Sequence, residues 1–196
     1  MPTPAVVRSN GAIYLDFNDG TGSRVPLSDN DPLRASFGLF LPGVTPAATP
    51  TDLLTIQGSA TTNVRLRQLV VTGTATSATN IIINLIRRSA ANTGGTFVAK
   101  AMVQRDISDN AQTAVVNLYS ANPTGLGTAV GTMDGCRLNL APAATGSIDR
   151  MMFQWSWLND KAPLLKGVND FIALNLGGAA WPAGGALDIG LVLSED

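Results

Sequence analysis

Residues 80–97 read NIIINLIRRSAANTGGTF, and this stretch decides the fold because it holds the end of one strand and the start of the next. Its apolar, β-branched first half is typical of a strand, and Arg87 and Arg88 close that half. The Asn-Thr-Gly-Gly run that follows favours a chain reversal, since glycine adopts positive φ without steric cost. We therefore predict a turn between two strands here, with both arginines hydrated at the rim of a sheet, rather than a loop that cradles a ligand.

Short strand-like segments recur along residues 51–196, and turn signals separate them. In NVRLRQLVVTGT, Val64 and Leu66 alternate with arginines, as expected of a strand with one buried face. The other segments are DLLTIQG, NIIINLIRR, TFVAKAMV, TAVVNLYS, TAVGT, CRLNL, RMMFQWSW, DFIALNL and ALDIGLVLS. TAVGT and CRLNL are expected to pair across the intervening MDG turn. About eight or nine short strands without an amphipathic helix predict an all-β fold, a sandwich or a barrel.

The composition supports this fold class and excludes several functions. Only 14% of the residues are charged, against about a quarter in an average protein. Glu and Lys, which usually coat exposed helices, number one and three, whereas Asp and Arg number thirteen and ten. A net charge of -1 gives no basic patch for nucleic acid. One cysteine excludes an internal disulfide, and the absence of a long apolar run or a signal peptide predicts a soluble chain with no membrane contact.

The first fifty residues lack the regular pattern. Ile13, Leu15 and Phe17 alternate before an NDGTG turn, which predicts a short hairpin. Prolines at 32, 42, 46 and 50 then interrupt any regular structure. We therefore expect residues 1–50 to be an extended arm that docks on the body, on a neighbouring copy or on another protein, and residues 51–196 to be the β-sandwich domain.

No catalytic set is evident. The chain has no histidine, which removes the Ser-His-Asp, Cys-His and His-metal sites. Cys136, without a base to activate it, is expected to be a small core residue. We predict that the protein is not an enzyme, and an Asp-dependent hydrolase is kept as the weakest of three hypotheses.

Cofactor and metal motifs also fail. In GTGSRV, Val25 stands where the third glycine of a dinucleotide fingerprint belongs. Asp16 with Asp19, and Asp29 with Asp31, are close in sequence, but no bidentate Glu follows as in a calcium loop. These carboxylates are expected to bond to their own turns, and no cofactor is predicted.

Two groups of tryptophans offer candidate contacts. Phe153, Trp155 and Trp157 alternate along one strand and therefore share a face, which we expect to be buried. If that face were exposed, it would be a stacking platform for sugars or single-stranded nucleic acid. Trp181 lies in the loop GGAAWPAGGA and is the better candidate for a contact, with a lid over the end of the sandwich as the alternative.

The stretches TIQGSATTNVRLRQLVVTGTAT, IIINLIRRSAANTGGTF and NLYSANPTGLGTAVGT resemble a group of tailed-bacteriophage virion proteins, the head decoration or cement proteins and related capsid-surface proteins. The resemblance covers about residues 51–132, with a weaker likeness from DFIALNLGG to the end. It implies a jelly-roll-like β-sandwich that binds the outside of a capsid and reinforces it. The implied partners are the major capsid protein and copies of the chain itself, as dimers or trimers. The implied location is the virion surface, after synthesis in the host cytoplasm.

The preferred hypothesis is therefore a structural virion protein that cements neighbouring major capsid protein subunits. The alternative is a carbohydrate- or receptor-binding adhesin of a head fibre or tail. The residues predicted to contact the capsid or another copy are Tyr14, Phe17, Phe37 and Phe40 in the arm, with Arg24 and Arg34 as polar anchors, then Arg87, Arg88 and Trp181.

Overall fold

The computed structural model describes residues 34–145, 149–155 and 161–196, together with the backbone of three strands before residue 34. The strands in chain order are β1 (Ala5–Ser9), β2 (Ala12–Asp16), β3 (Arg24–Pro26), β4 (Ala35–Val44), β5 (Asp52–Gln57), β6 (Asn63–Thr74), β7 (Thr79–Arg88), β8 (Thr96–Lys100), β9 (Val103–Gln104), β10 (Val115–Ala121), β11 (Ala129–Leu140), β12 (Arg150–Gln154), β13 (Leu164–Lys166), β14 (Phe171–Asn175) and β15 (Ala186–Glu195). One 3₁₀ turn covers Ala143–Thr145. The predicted all-β sandwich is confirmed.

Two six-stranded antiparallel sheets form the sandwich. Sheet 1 has the order β11-β7-β14-β5-β10-β8, and sheet 2 has the order β12-β6-β15-β4-β9, with β13 also paired to β6. The strands β4, β5, β6, β7, β11, β12, β14 and β15 supply four neighbours to each sheet and pass between the sheets as in a jelly roll. β8, β9 and β10 extend the two sheets beyond β5 and β4.

The core lies between the two sheets, where side chains alternate along each strand. In β15, Leu187, Ile189, Leu191 and Leu193 are buried, and they face buried residues of sheet 1 such as Ile83. Each fully buried Leu or Ile side chain contributes about 1.5–3 kcal/mol by leaving water. The same alternation places every second side chain of the central strands on the outer faces.

The backbone before residue 34 forms a separate three-stranded antiparallel arrangement, in which β2 pairs with both β1 and β3. The pairing of β2 with β3 is the hairpin predicted from the alternation of residues 13–17. The side chains of these strands, and Phe17, lie outside the described residues.

The sandwich starts earlier than the sequence predicts. β4, at residues 35–44, pairs with β15 along most of its length, and Phe37 is 0% exposed in the core. The predicted arm of residues 1–50 therefore includes a strand of sheet 2. Pro42 is compatible with this strand because it sits where the pairing of β4 with β15 shifts register.

A second difference concerns residues 129–140. The predicted hairpin across MDG is instead the single strand β11, which pairs with β7 over its whole length. Register shifts at Ala129/Gly131 and Thr132/Asp134 absorb the turn-like residues as bulges. Within the described part of the chain, no helix has the length and apolar character needed to cross a membrane.

Candidate protein-interaction surface

The turn after β7 covers a buried ion pair. Arg88 is 4% exposed and donates from Nε and Nη2 to both carboxylate oxygens of Asp52, at 2.7 and 2.8 Å. Asp52 also accepts hydrogen bonds from Asn92 and Asn175, at 2.9 and 2.7 Å. The prediction that Arg88 stays hydrated and docks on a partner is thus corrected, because β5 supplies a carboxylate that draws the guanidinium beneath the turn.

The turn itself is held against the segment that precedes β11. Arg88 Nη1 donates to the Gly127 carbonyl at 2.7 Å, and the Gly127 N–H donates to Asn92 Oδ1 at 2.8 Å. Gly94 and Gly95 have φ values of 64° and 75°, as the sequence predicts for a chain reversal. The stretch RRSAANTGGTF is therefore a structural cover over sheet 1.

Arg87 is half-buried and also contacts its own chain. Its Nη2 donates to the Leu164 carbonyl at 2.7 Å and forms a short ion pair with Asp170. Because Leu164 belongs to β13 on sheet 2, Arg87 ties the two sheets together at their edge. Its side chain is nevertheless 32% exposed, so its predicted docking role stays a prediction.

The predicted arm residues divide into three groups. Tyr14, Phe17 and Arg24 have side chains outside the described residues. Arg34 is half-buried near Asp196, with Nη2 3.7 Å from the carboxylate. Phe37 is a core residue, which corrects its predicted docking role.

Phe40 does face solvent, at 66% exposed, and marks an apolar row across the outer face of sheet 2. The register places Gly190, Val70 and Met152 beside it on three successive strands. Met152 is exposed, and Val70 is half-buried. Since strands are about 4.8 Å apart, this row extends for about 14 Å.

A second row lies next to the first. Val103, 73% exposed, pairs with Gly38 in β4, which in turn pairs with Val192 in β15. Gln68 and Gln154 continue this row across β6 and β12. We call these two rows the sheet 2 face. Its nine residues are Phe40, Gly190, Val70, Met152, Val103, Gly38, Val192, Gln68 and Gln154. None of the nine is charged.

The two glycines make the sheet 2 face flat. A Cβ added at Gly190 would lie 3.7 Å from Val70 Cβ, and one added at Gly38 would lie 3.8 Å from Arg105 Nε. Both distances are ordinary contacts, so packing within the chain does not require glycine here. Their effect is to leave the face without a side chain at two positions, between Phe40 and Val70 and between Val103 and Val192.

A polar depression borders the second row. Its volume is about 200 Å³, and its lining includes Arg105, Gln154 and Trp155. Trp155 is half-buried and stacks on Phe153, with ring centroids 6.4 Å apart. Phe153 is buried and Met152 and Gln154 are exposed, so the predicted alternation holds for these residues. Trp157 lies outside the described residues.

The β11 edge of sheet 1 is less suited to binding another strand. Besides its two bulges, β11 has outward N–H groups bound to side chains: Gly135 donates to Asp134 at 2.8 Å, and Asn139 donates to Asp149 at 3.2 Å. Bulges and polar groups of this kind protect edge strands from pairing with other chains. Contact with a partner is therefore better served by a sheet face than by this edge.

Trp181 is half-buried and packs against the core, and its indole N–H donates to the Gly185 carbonyl at 2.9 Å. Beside it lies a pocket of about 240 Å³. We call it the Trp181 pocket. Its lining includes Ile82, Leu176, Trp181 and Pro182, with Arg137 and Asn80 as polar members. Trp181 is thus both a packing residue and part of a surface cavity, and its predicted role as a contact residue stays a prediction.

Reactive and metal-binding groups are sparse. Cys136 is half-buried on β11 and packs against the core. In the described part of the chain, no three His, Cys, Asp or Glu side chains gather as a metal site would require. The carboxylates Asp52 and Glu195 are instead bound by donors of the chain itself.

Comparison of the chain with protein-family models, with curated proteins and with solved structures finds no match.

Proposed function

We propose that this protein is a structural component of a phage virion that binds the outside of the capsid through its sheet 2 face. In this role it cements neighbouring major capsid protein subunits and contacts copies of itself. The observation that supports the proposal most directly is the sheet 2 face, on which exposed Phe40, Val103 and Met152 lie among uncharged residues.

A protein that cements capsid subunits acts through the area of its contacts and needs no catalytic group. Apolar surface that leaves water stabilises an interface by about 25 cal/mol per Å², and permanent interfaces are large and relatively apolar. The nine residues of the sheet 2 face carry no charge, and the guanidinium groups of Arg105 and Arg150 border it beside Gly38 and Met152, so a partner that covers the face has to leave these two groups hydrated or supply acceptors for them. The resemblance of residues 51–132 to decoration proteins supplies the identity of the proposed partner.

Co-sedimentation with empty phage heads tests the proposal. Phe40→Asp is expected to lower the affinity at least about tenfold, or about 1.4 kcal/mol, because it removes a central apolar contact and brings a carboxylate into the interface. Val168→Asp is the matched control, since Val168 is exposed in the turn between β13 and β14, where its carbonyl accepts a hydrogen bond from Gln57 of sheet 1. Equal binding by both variants, with circular dichroism unchanged, would contradict the role of this face.

A second candidate function is a glycan-binding adhesin, and Trp155 favours it. Half-buried Trp155 lies with Gln68, Gln154 and Arg105 around the polar depression, and sugars stack on such rings while amides and guanidinium groups bind their hydroxyls. A Trp155→Ala variant separates the candidates. An adhesin would lose binding to host-surface glycans in a glycan array, whereas a cement protein would still sediment with heads.

A further inference from the structure

A protruding turn lies at the end of the molecule opposite the Trp181 pocket. Asp106–Asp109 forms this turn, in which the Asp109 N–H donates to the Asp106 carbonyl at 3.1 Å. Ile107 at its apex is 95% exposed and is the most exposed large apolar side chain among the described residues. We call this turn the Ile107 tip.

The Ile107 tip is braced by hydrogen bonds and carries the Asp106 carboxylate. The backbone N–H and the hydroxyl of Ser108 both donate to Asp106 Oδ1, at 2.9 and 2.7 Å, and these two bonds lower the pKa of Asp106 from its usual value. At the base of the loop, the Ser36 N–H donates to Asp109 and the Arg105 N–H donates to the Ser36 carbonyl. The exposed isoleucine is therefore presented on a fixed turn beside a carboxylate.

The Trp181 pocket has the complementary chemistry. Most of its lining residues are apolar, and Arg137 is the one charged residue among those described. Asn80 Oδ1 accepts a hydrogen bond from Arg137 Nη1 at 2.8 Å, which orients the guanidinium and leaves other N–H donors for a carboxylate. At about 240 Å³, the cavity is smaller than the roughly 300–1,000 Å³ of typical small-molecule sites. It is better matched to one protruding side chain.

The two features cannot meet within one molecule. Gly185, which binds the Trp181 indole, comes just before β15, whereas Ser194 near the other end of β15 pairs with Ser36 beside the Ile107 tip. The ten residues of β15 separate the ends by about 30 Å at 3.3 Å per residue.

We propose that the Ile107 tip of one copy inserts into the Trp181 pocket of a second copy, with Asp106 pairing with Arg137. Such a head-to-tail contact is heterologous, so repeated copies form a closed ring or a linear array rather than a twofold dimer. The proposal refines the part of the proposed function in which copies contact each other, and it is tested without capsids.

Disulfide trapping between single-cysteine variants gives a direct test. In a Cys136→Ser background, chains with Ile107→Cys and differently tagged chains with Ala180→Cys are mixed and oxidised. Ala180 is exposed and lines the Trp181 pocket. We expect a tag-mixed dimer in several-fold higher yield than from the matched mixture of Ile107→Cys with Val168→Cys, and a ladder or closed ring from one chain with both cysteines. Equal yields from the two mixtures, or no mixed dimer from either, overturn the proposal.

A charge exchange tests the proposed ion pair in the same trapping assay. Asp106→Arg or Arg137→Asp alone should reduce the yield several-fold, and combining Asp106→Arg on the tip chain with Arg137→Asp on the pocket chain should restore it. Failure of the combination to restore the yield contradicts the pairing of these two residues.

A further measurement keeps Cys136, so its result does not depend on how well the Cys136→Ser variant folds. The Val168→Asp and Ile107→Asp variants, each a single substitution, are compared by sedimentation at high protein concentration. We expect a higher average mass for Val168→Asp than for Ile107→Asp. Equal masses would reject self-association through the tip, and they would leave the capsid test of the sheet 2 face unaffected.

Discussion

Arg88 owes its role to a carboxylate 36 residues earlier in the chain. In the sequence it is one of two arginines after an apolar run, which gives no sign that Asp52 is its neighbour. A guanidinium enters the interior when its planar fork meets a carboxylate and further acceptors, as it does here with the Gly127 carbonyl. Arg87, one position earlier, points to the other side of the strand and reaches Asp170 instead.

Arg88→Met is expected to destabilise the protein by about 3–5 kcal/mol. The substitution leaves the Asp52 carboxylate buried with only the two asparagine donors, and an uncompensated buried charge is costly. Urea unfolding followed by fluorescence measures the change. Lys161→Met is the control, because Lys161 is exposed, and it should cost less than about 1 kcal/mol. A loss of similar size in both variants would show that the ion pair contributes little.

Phe37 and Phe40 mark the limit of sequence reasoning at the scale of single residues. The sequence predicts that both residues dock, because SFGLFLPG lies among prolines and has no clear period. Their separation by three positions puts them on opposite faces of a strand, so only one of them could be exposed. A strand at residues 35–44 separates the two roles, and the pairing with β15 decides which face is buried.

At the scale of elements, two loops form the cover over the Asp52–Arg88 pair. Residues 89–95 follow β7 and residues 122–128 precede β11, and Thr93 forms an isolated bridge with Gly125 between them. Gly127 is the tightest point, because a Cβ there would lie 1.9 Å from the Ala90 carbonyl oxygen. That distance is far inside van der Waals contact, so the loops pack closely only if position 127 has no side chain.

Gly127→Ala should therefore separate the two loops and destabilise the fold by about 1–3 kcal/mol, the usual cost of overpacking. Gly131→Ala is the matched control, since a Cβ at Gly131 would have nothing within 4 Å, and it should be neutral or slightly stabilising. Thermal unfolding compares the two variants. If Gly127→Ala were as stable as Gly131→Ala, the cover would have to be looser than described.

Most strands were predictable because the period of two is a local property. β5, β6, β7, β10, β14 and β15 each coincide closely with a predicted segment. The predictions of strands are wrong where a neighbouring strand imposes a pairing that the local sequence pattern does not indicate. β4 is a strand despite Pro42 because β15 supplies its ladder, and the MDG turn signal in β11 is absorbed because β7 continues beside it. β13, with only three residues, is too short for its pattern to be recognised.

At the scale of the whole molecule, the connections between distant strands are what the sequence does not reveal. β15 lies between β6 and β4, and β14 lies between β7 and β5, so the chain's last strands fill gaps left by its first. No local pattern encodes such an order. The sheet 2 face depends on it, since Phe40, Val70 and Met152 become neighbours only through β15 and β6.

Glu195 connects the end of β15 to the loop that bears the Ile107 tip. Its carboxylate is buried and accepts hydrogen bonds from the Thr113 N–H and hydroxyl, at 3.0 and 2.6 Å, and from the Ala114 N–H at 2.9 Å. It is the only Glu in a chain with thirteen Asp. The Glu side chain, longer than that of Asp, spans from β15 to the start of β10, so the one Glu of the chain stands where the structure uses its length.

Glu195→Gln is expected to destabilise the protein by about 2–4 kcal/mol. The substitution replaces one carboxylate oxygen with an NH₂ group, which donates and cannot accept, so a buried N–H group of Thr113 or Ala114 loses its acceptor. The effect should be local as well. Hydrogen exchange at Thr113, Ala114 and the Ile107 tip should speed up more than exchange in β14 at the centre of sheet 1. Asp134→Asn is the control, because Asp134 is exposed and its hydrogen bond is to the neighbouring Gly135 N–H. If exchange rose evenly over the chain, or did not rise at the tip, Glu195 would not anchor that loop. The conformation of the Ile107 tip would then depend on the Asp109–Ser36 contact alone.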